Sequence, residues 1–182
     1  MEKILISRYL SPAGEMIIGA YGGEVCLCDW AVESRRGRID GRICRGLNAG
    51  LAEGMTDVTA RTIAELDEYF AGMRREFTVG VRLTGSEFQR RVWQELTRIE
   101  YGSTVTYGEL ARRIGNPKAL RAVAGACGAN ALSILVPCHR VTGGGGRLTG
   151  YAGGIAAKSM LLGIEGAGAQ PGVLRCGGEK IL

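Results

Sequence analysis

The stretch from Thr106 to Gly128, "TYGELARRIGNPKALRAVAGACG", holds two short helical patterns separated by a few residues, and the architecture turns on how they are read. Thr106 and Glu109 have the spacing of a capping box that opens the first helix, and Gly115 stops it. Asn116 is then placed to cap a second helix with Pro117 at its first position. Two helices around so short a turn fit a helix-turn-helix, whose second helix is the one presented to DNA; an ordinary helical hairpin satisfies the same pattern.

The second of these helices has an unusual surface. Ala122, Ala124, Gly125 and Ala126 leave it almost without side chains, while Lys118 and Arg121 supply charge. Such a face either packs tightly on another helix or lets a foreign backbone approach closely. Charge bears on the choice. Residues 86–150 hold nine of the 23 Lys and Arg but only four of the 18 Asp and Glu, so the whole net charge of +5 sits in that segment. Local basicity favours a polyanion such as nucleic acid, although a solvated face accounts for it equally well.

Upstream, "SEFQRRVWQELTRI" opens with a capping box, Ser86 to Gln89, and places Phe88, Val92, Leu96 and Ile99 on one helical face. Thr84-Gly85 reads as a linker, which predicts a boundary between a unit at 1–83 and one at 86–166. In the first unit, "KILISRYL", "EMIIGAY" and "EVCLCDWAV" alternate with turn residues and predict an antiparallel meander. A polar, glycine-spotted stretch follows. Next, "DVTARTIAELDEYFAG" spaces Ile63, Leu66 and Phe70 as one amphipathic helix over the sheet, with Gly72 as its stop, and "REFTVGVRL" reads as a further strand. Downstream of the central pair, "YAGGIAAKSMLLGIEG" carries Ala156, Met160, Leu161 and Ile164 at a spacing compatible with a last helix that closes at Gly166. A glycine-rich tail, 167–182, ends the chain.

The sequence contains 182 residues, 46% of them hydrophobic, which suffices for a packed core, and no apolar run approaches the roughly 18 residues that span a bilayer. A soluble, cytoplasmic monomer is the expectation. The six cysteines (26, 28, 44, 127, 138 and 176) have no dense regular spacing and are expected as reduced thiols. Cys26, Cys28 and Cys44 do not complete a four-ligand metal set.

The chemistry concentrates in "SILVPCHRVTGGGG", residues 133–146, where Cys138 ends an apolar run beside His139, the one histidine of the chain. The thiol there is a nucleophile, a metal ligand or an inert core group. A neighbouring histidine and arginine favour a thiol held partly as thiolate. Residues adjacent in sequence diverge in space, so contact between Cys138 and His139 needs a water or a special turn. The glycine run and "GYAGG" at 150–154 can form a pocket wall, and neither matches a phosphate loop. A cysteine hydrolase using His139 as base is compatible with these residues alone.

Taken in order, "FQRRVWQEL", "TYGELA", "RAVAGACGAN", "PCHRV" and "GYAGG" resemble the O6-alkylguanine-DNA alkyltransferases over residues 86–166. The resemblance implies an α+β chain: a small N-terminal antiparallel sheet with a helix, RNase H-like, then a helical, winged helix-turn-helix-like unit. It implies direct reversal of O6-alkylguanine, and of O4-alkylthymine, by irreversible single-turnover transfer of the alkyl group to Cys138, without metal or cofactor. His139 would take the thiol proton through a water, and Glu165 would hold the imidazole and favour its cation. Tyr107 would donate to the guanine ring and help rotate the target phosphate. Asn130 would brace the active turn. Backbone groups of Cys138 and Val141 would receive the guanine amine, and Ala152 would face O6, with Tyr151 beside it in the pocket.

The implied partner is double-stranded DNA bound through its minor groove by the helix carrying Ala122, Ala124 and Gly125. Lys118 would add charge, and Arg121 would fill the gap left by the extruded base. Two departures stand out. Ser133 replaces a proline that some relatives carry, and Cys138 stands where non-enzymatic damage binders of the family have tryptophan.

Overall fold

The computed structural model describes residues 2–167. The predicted tail and Cys176 therefore lie outside the described residues. Strands β1 (Lys3–Ser11), β2 (Gly14–Tyr21) and β3 (Glu24–Trp30) form the expected meander. Gly22 and Gly23 turn the second hairpin with φ of 57° and 80°, which side chains rarely tolerate. A fourth strand, β4 (Gly50–Glu53), pairs parallel to β1, so the sheet is mixed, in the order β3-β2-β1-β4.

The polar, glycine-spotted stretch, to which the sequence pattern assigns no element, is helix α1 (Glu33–Leu47). Gly37, Gly41 and Gly46 hide it by lowering local propensity, but Ile39 and Ile43, one turn apart, are fully buried, and Arg36 pairs with Asp40 along its surface. Helix α2 (Asp57–Phe70) follows the predicted pattern and opens on a capping box between Thr56 and Thr59. Two helices thus flank the sheet where one was expected. Ile39 and Ile43 of α1 pack with Ile4, Ile17 and Leu27, while Leu66 and Tyr69 of α2 pack with Met16, Ile18 and Trp30 on the other side. This two-sided burial explains why β3 is buried at every position but its first and carries an unbroken apolar run from Val25 to Cys28. "REFTVGVRL" forms no strand; Val81 makes a single bridge to Val25, and Gly80 and Arg82 hydrogen-bond its backbone.

Beyond Thr84-Gly85, the predicted capping boxes of Ser86 and Thr106 both form, opening α3 (Glu87–Leu96) and α4 (Tyr107–Arg113). The second helix of the central pair starts later than Asn116 suggests. Residues 116–119 make a turn closed by the Ala119 amide on the Asn116 carbonyl, and α5 (Leu120–Gly128) begins with no side-chain cap. Helix α6 (Ile155–Ile164) is present, but Ala157, Lys158, Leu161 and Leu162 face inward, while Ala156 and Met160 are exposed. The inward face differs from the apolar pattern because it includes a buried lysine, Lys158, which an apolar pattern leaves out. Short strands β5 (Val105–Thr106) and β6 (Val141–Thr142) pair in parallel and tie the start of α4 to the residues after Cys138.

The larger apolar cluster draws on both sides of Thr84-Gly85, from Met16, Trp30 and Tyr69 to Trp93, Val123 and Val136. Polar contacts follow the same route: the Cys28 amide donates to Ala131 O at 2.8 Å, Arg42 to Ala129 O at 2.6 Å, and Arg35 to Gly128 O at 2.9 Å. Among the described residues no helix is long and apolar enough to cross a membrane.

Gly153 lies against the Trp30 indole, where an added Cβ would meet ring atoms at 2.5 Å. Trp30 is 2% exposed and packed edge-on to Tyr151, so it has little room to yield. Gly153→Ala is expected to cost about 1–3 kcal/mol of stability through overpacking, read as a lowered midpoint in urea unfolding; an unchanged midpoint contradicts this packing.

Candidate active site

The segment from Asn130 to Val141 is folded around one side chain. Asn130 is buried; its amide nitrogen donates to Val136 O at 2.8 Å and to Cys138 Sγ at 3.2 Å, and its oxygen accepts the Leu132 amide at 2.9 Å. These bonds hold a tight turn in which Ile134 takes a φ of 72°. A β-branched residue there costs about 1–3 kcal/mol, which the surrounding contacts must offset. Ser133 adds one such contact, its hydroxyl donating to the buried Asp29 at 3.2 Å. Pro137 then leads into a single 3-10 turn, Cys138–Arg140, all three residues of which are buried.

The two residues after Cys138 in that turn both bond the Glu165 carboxylate. Its Oε1 meets His139 Nε2 at 2.7 Å and accepts Tyr69 OH at 2.7 Å; its Oε2 accepts Arg140 Nε at 2.8 Å and the Gly102 amide at 3.3 Å. Burial alone would raise the Glu165 pKa, but the bonds from His139, Arg140 and Tyr69 outweigh it and hold the group down at about 2. For His139, burial pushes the pKa down and outweighs the upward pull of Glu165. The expected bias toward the cation is therefore exerted by Glu165 but overridden, and the imidazole rests neutral at pH 7. Its Nδ1 is buried with no hydrogen-bond partner among the described residues.

Cys138 departs from expectation in the same sense. It is 5% exposed, and burial raises its pKa, opposed by the Asn130 hydrogen bond and the charge of Lys158. The resting group is a thiol, where the basic neighbours in sequence had favoured partial thiolate. Proximity in sequence to Arg140 is not proximity in charge, because that guanidinium is spent on Glu165 and on Ile99 O at 2.6 Å.

Cys138 opens into a cavity of about 460 Å3 shared with Tyr107, Ala124, Cys127, Thr149, Tyr151 and Ala152. Tyr107 opens α4 and is half-buried; burial raises its pKa, so its hydroxyl stays a donor. Tyr151 stands edge-on to both Trp30 and His139. Val141 is buried, its amide on Cys138 O and its carbonyl on Lys158 Nζ at 2.5 Å. Arg121, Ala122, Ala124 and Gly125 are exposed along α5, with open space around Gly125; Lys118 is exposed in the turn before that helix.

The expected residues thus divide into a buried set, Cys138, His139, Glu165, Asn130 and Val141, a set lining the cavity, Tyr107, Tyr151 and Ala152, and an outer set on and before α5. Missed by sequence reasoning are Tyr69 and Arg140 on Glu165, Arg35 and Cys127 in the cavity wall, and Lys158 behind it. Tyr69 sat in "DEYF" as one more helix residue, and no local signal links it to a glutamate 96 positions away. Among the described residues the cysteines are free thiols and no cluster suits a metal.

A family model described as the DNA binding domain of 6-O-methylguanine DNA methyltransferase matches residues 87–167. The methylated-DNA–protein-cysteine methyltransferase of Mycolicibacterium paratuberculosis is 53% identical over 106 residues, 58% of this chain and 64% of that protein. That of Methanosarcina acetivorans is 52% identical over 103 residues, 57% and 66% of the respective chains. The chain thus spans a little under two thirds of the length of these curated relatives. Solved structures match more broadly. Mycobacterium tuberculosis OGT in complex with DNA has a TM-score of 0.76 at 37% identity, covering 91% of this chain and 94% of that one. The O6-methylguanine-DNA methyltransferase of Pyrococcus kodakaraensis has a TM-score of 0.63 at 26% identity, covering 90% and 99%. With more than a third of its residues shared across nearly the whole of a solved relative, and the catalytic-segment motifs in order, this chain belongs to the methylated-DNA–protein-cysteine methyltransferase family.

Proposed function

We propose that the chain repairs DNA by moving the alkyl group of O6-alkylguanine, and of O4-alkylthymine, onto Cys138 in a single irreversible turnover. The observation that carries this reading is the cavity itself: a thiol in its lining, a neutral imidazole on the next residue of the same turn, and the small exposed face of α5 beside it. Duplex DNA would lie with its minor groove on Ala122, Ala124 and Gly125, held by Lys118, while Arg121 fills the gap left by the flipped nucleotide. This helical part, 86–166, would act as a winged helix-turn-helix-like unit beside an RNase H-like unit at 1–83, in a cytoplasmic monomer.

The steps balance on this chain's residues. The Cys138 proton passes through a water to the unpartnered Nδ1 of His139, and Glu165 stabilises the imidazolium so formed. Sulfur bonds the alkyl carbon as the carbon–O6 bond breaks, and the electron pair stays on the guanine oxygen. Tyr107 hydrogen-bonds the ring as that charge develops, and the carbonyls of Cys138 and Val141 receive the exocyclic amine through lone pairs not already engaged. Ala152 faces O6 and Tyr151 walls the alkyl group. A thioether has no leaving path comparable to an ester, so the thiol is consumed. A resting thiol beside a neutral base suits this task, since activation then awaits a bound base.

Incubated with a duplex containing one O6-methylguanine, the protein is expected to gain one methyl group on Cys138 and no more, as read by intact mass and peptide mapping. Cys138→Ala should bind the duplex and gain nothing. Multiple turnovers on an acyl substrate would instead establish a cysteine hydrolase.

Arg121→Ala should slow repair in duplex about tenfold or more and leave single-stranded substrate much less affected, because only the duplex must be unstacked, at a few kcal/mol. Equal losses on both substrates would remove Arg121 from that role.

The transfer rate should hold at neutral pH and fall on acidification below the ordinary histidine value of about 6.5, where the depressed His139 takes up a proton and ceases to accept one. Stability follows the same sign. Glu165 is held below its usual 4.5 at about 2, so its contribution is present above 4.5 and is lost as pH falls toward 2. Glu165→Gln should flatten that part of the stability profile; acid unfolding with the wild-type shape would contradict it.

A further inference from the structure

Lys158 has no part in the transfer scheme above, yet it is the one fully buried lysine among the described residues. Burying an ammonium is expensive unless its donors are satisfied, and a counter-ion is the common answer. Here the only hydrogen-bond partners among the described residues are two backbone carbonyls, Val141 O at 2.5 Å and Thr149 O at 3.0 Å. A methionine or leucine would fill the same place on α6 without the desolvation cost.

The two carbonyls belong to the two segments that bring Cys138 and Tyr151 to the cavity. Val141 follows the Cys138–Arg140 turn on β6, and Thr149 begins the loop that carries Tyr151 and Ala152. One ammonium therefore staples the nucleophile's turn to the loop facing it across the cavity. No other side chain hydrogen-bonds both segments among the described residues.

The uncompensated charge has a second effect. It opposes the burial of Cys138, as Asn130 and Arg35 also do, while Asp29 works against it. Cys127 and His139 lie in the same field, which favours the anion of the former and disfavours the cation of the latter.

We propose that Lys158 is a positioning residue for alkyl transfer, fixing the separation of the two cavity walls and supplying the positive charge under which the Cys138 sulfur becomes an anion. The proposal rests on the alkyl-transfer reading, and its test separates the two. Lys158→Met keeps the length and removes the charge; Lys158→Arg keeps the charge. Each is compared with wild type in methyl transfer from an O6-methylguanine duplex and in the pH dependence of iodoacetamide labelling at Cys138. Labelling is scored by peptide mapping, so that Cys127 is not counted.

Lys158→Met is expected to slow transfer about tenfold or more and to move the midpoint of Cys138 labelling up by about one pH unit, while Lys158→Arg restores part of both. A labelling midpoint unmoved or lowered in Lys158→Met overturns the proposal, whatever happens to transfer, since loosened packing admits water and moves the thiol midpoint down, whereas only lost positive charge moves it up. Where Lys158→Met loses its circular dichroism signal, Lys158→Gln takes its place with the same deciding outcome. A wild type that transfers no methyl group defeats the alkyl-transfer reading, and the labelling midpoints still decide whether Lys158 charges the thiol.

Discussion

A single carboxylate, buried at the end of the last helix, organises this molecule. Glu165 cannot stay ionised in the interior without donors, and it gathers four: the hydroxyl of Tyr69 from α2, the imidazole of His139, the guanidinium of Arg140, and the Gly102 amide from the loop before α4. They come from three separate stretches of chain, His139 and Arg140 sharing one turn. Removing any one leaves a buried charge underpaired, which costs far more than the pair itself contributes. The ion therefore fixes where the active turn, the sheet-covering helix and α6 sit relative to one another.

What that arrangement buries is a resting state with little charge on its reactive groups. Cys138 and His139 are both driven by burial toward their neutral forms, and the strong ions around them, Glu165 with Arg140 and Asp29 with Arg35 and Arg36, are paired among themselves. A permanent thiolate in the cell would be open to oxidants and stray electrophiles. A shielded thiol with a ready acceptor is not, and under the proposed single turnover it loses little by waiting.

Much of this was legible in the sequence, for identifiable reasons. The meander and α2–α4 follow from period, turn glycines and capping boxes, which are local. The Cys138 turn with His139, Asn130 and Glu165 came from motifs in order along the chain. Helix α1 was hidden because three glycines and five arginines outweighed two isoleucines, and the start of α5 because Asn116 closes a turn instead of capping a helix. The protonation of Cys138 could not be read at all. It depends on depth and on where Arg140 spends its donors, and neither is encoded in adjacency. Tyr69, Arg35 and Lys158 escaped for a related reason: each acts on groups far away in sequence or reads, on its own helix, as an ordinary surface or core residue.

The contacts across Thr84-Gly85 bear on how the two parts of this chain can be exchanged or evolve. The sheet-bearing part contributes Tyr69 to Glu165, Asp29 to Ser133, the Cys28 amide to Ala131, and Trp30 to Gly153 and Tyr151. None of these is a reacting group, yet every one ends on the active turn, on the loop that carries Tyr151, or on the carboxylate that holds His139. A graft that replaced residues 1–83 with those of a relative would therefore bring in a different mould for the same catalytic segment. The two parts are heritable only as a matched pair, with the fit recorded in a handful of positions that no motif marks.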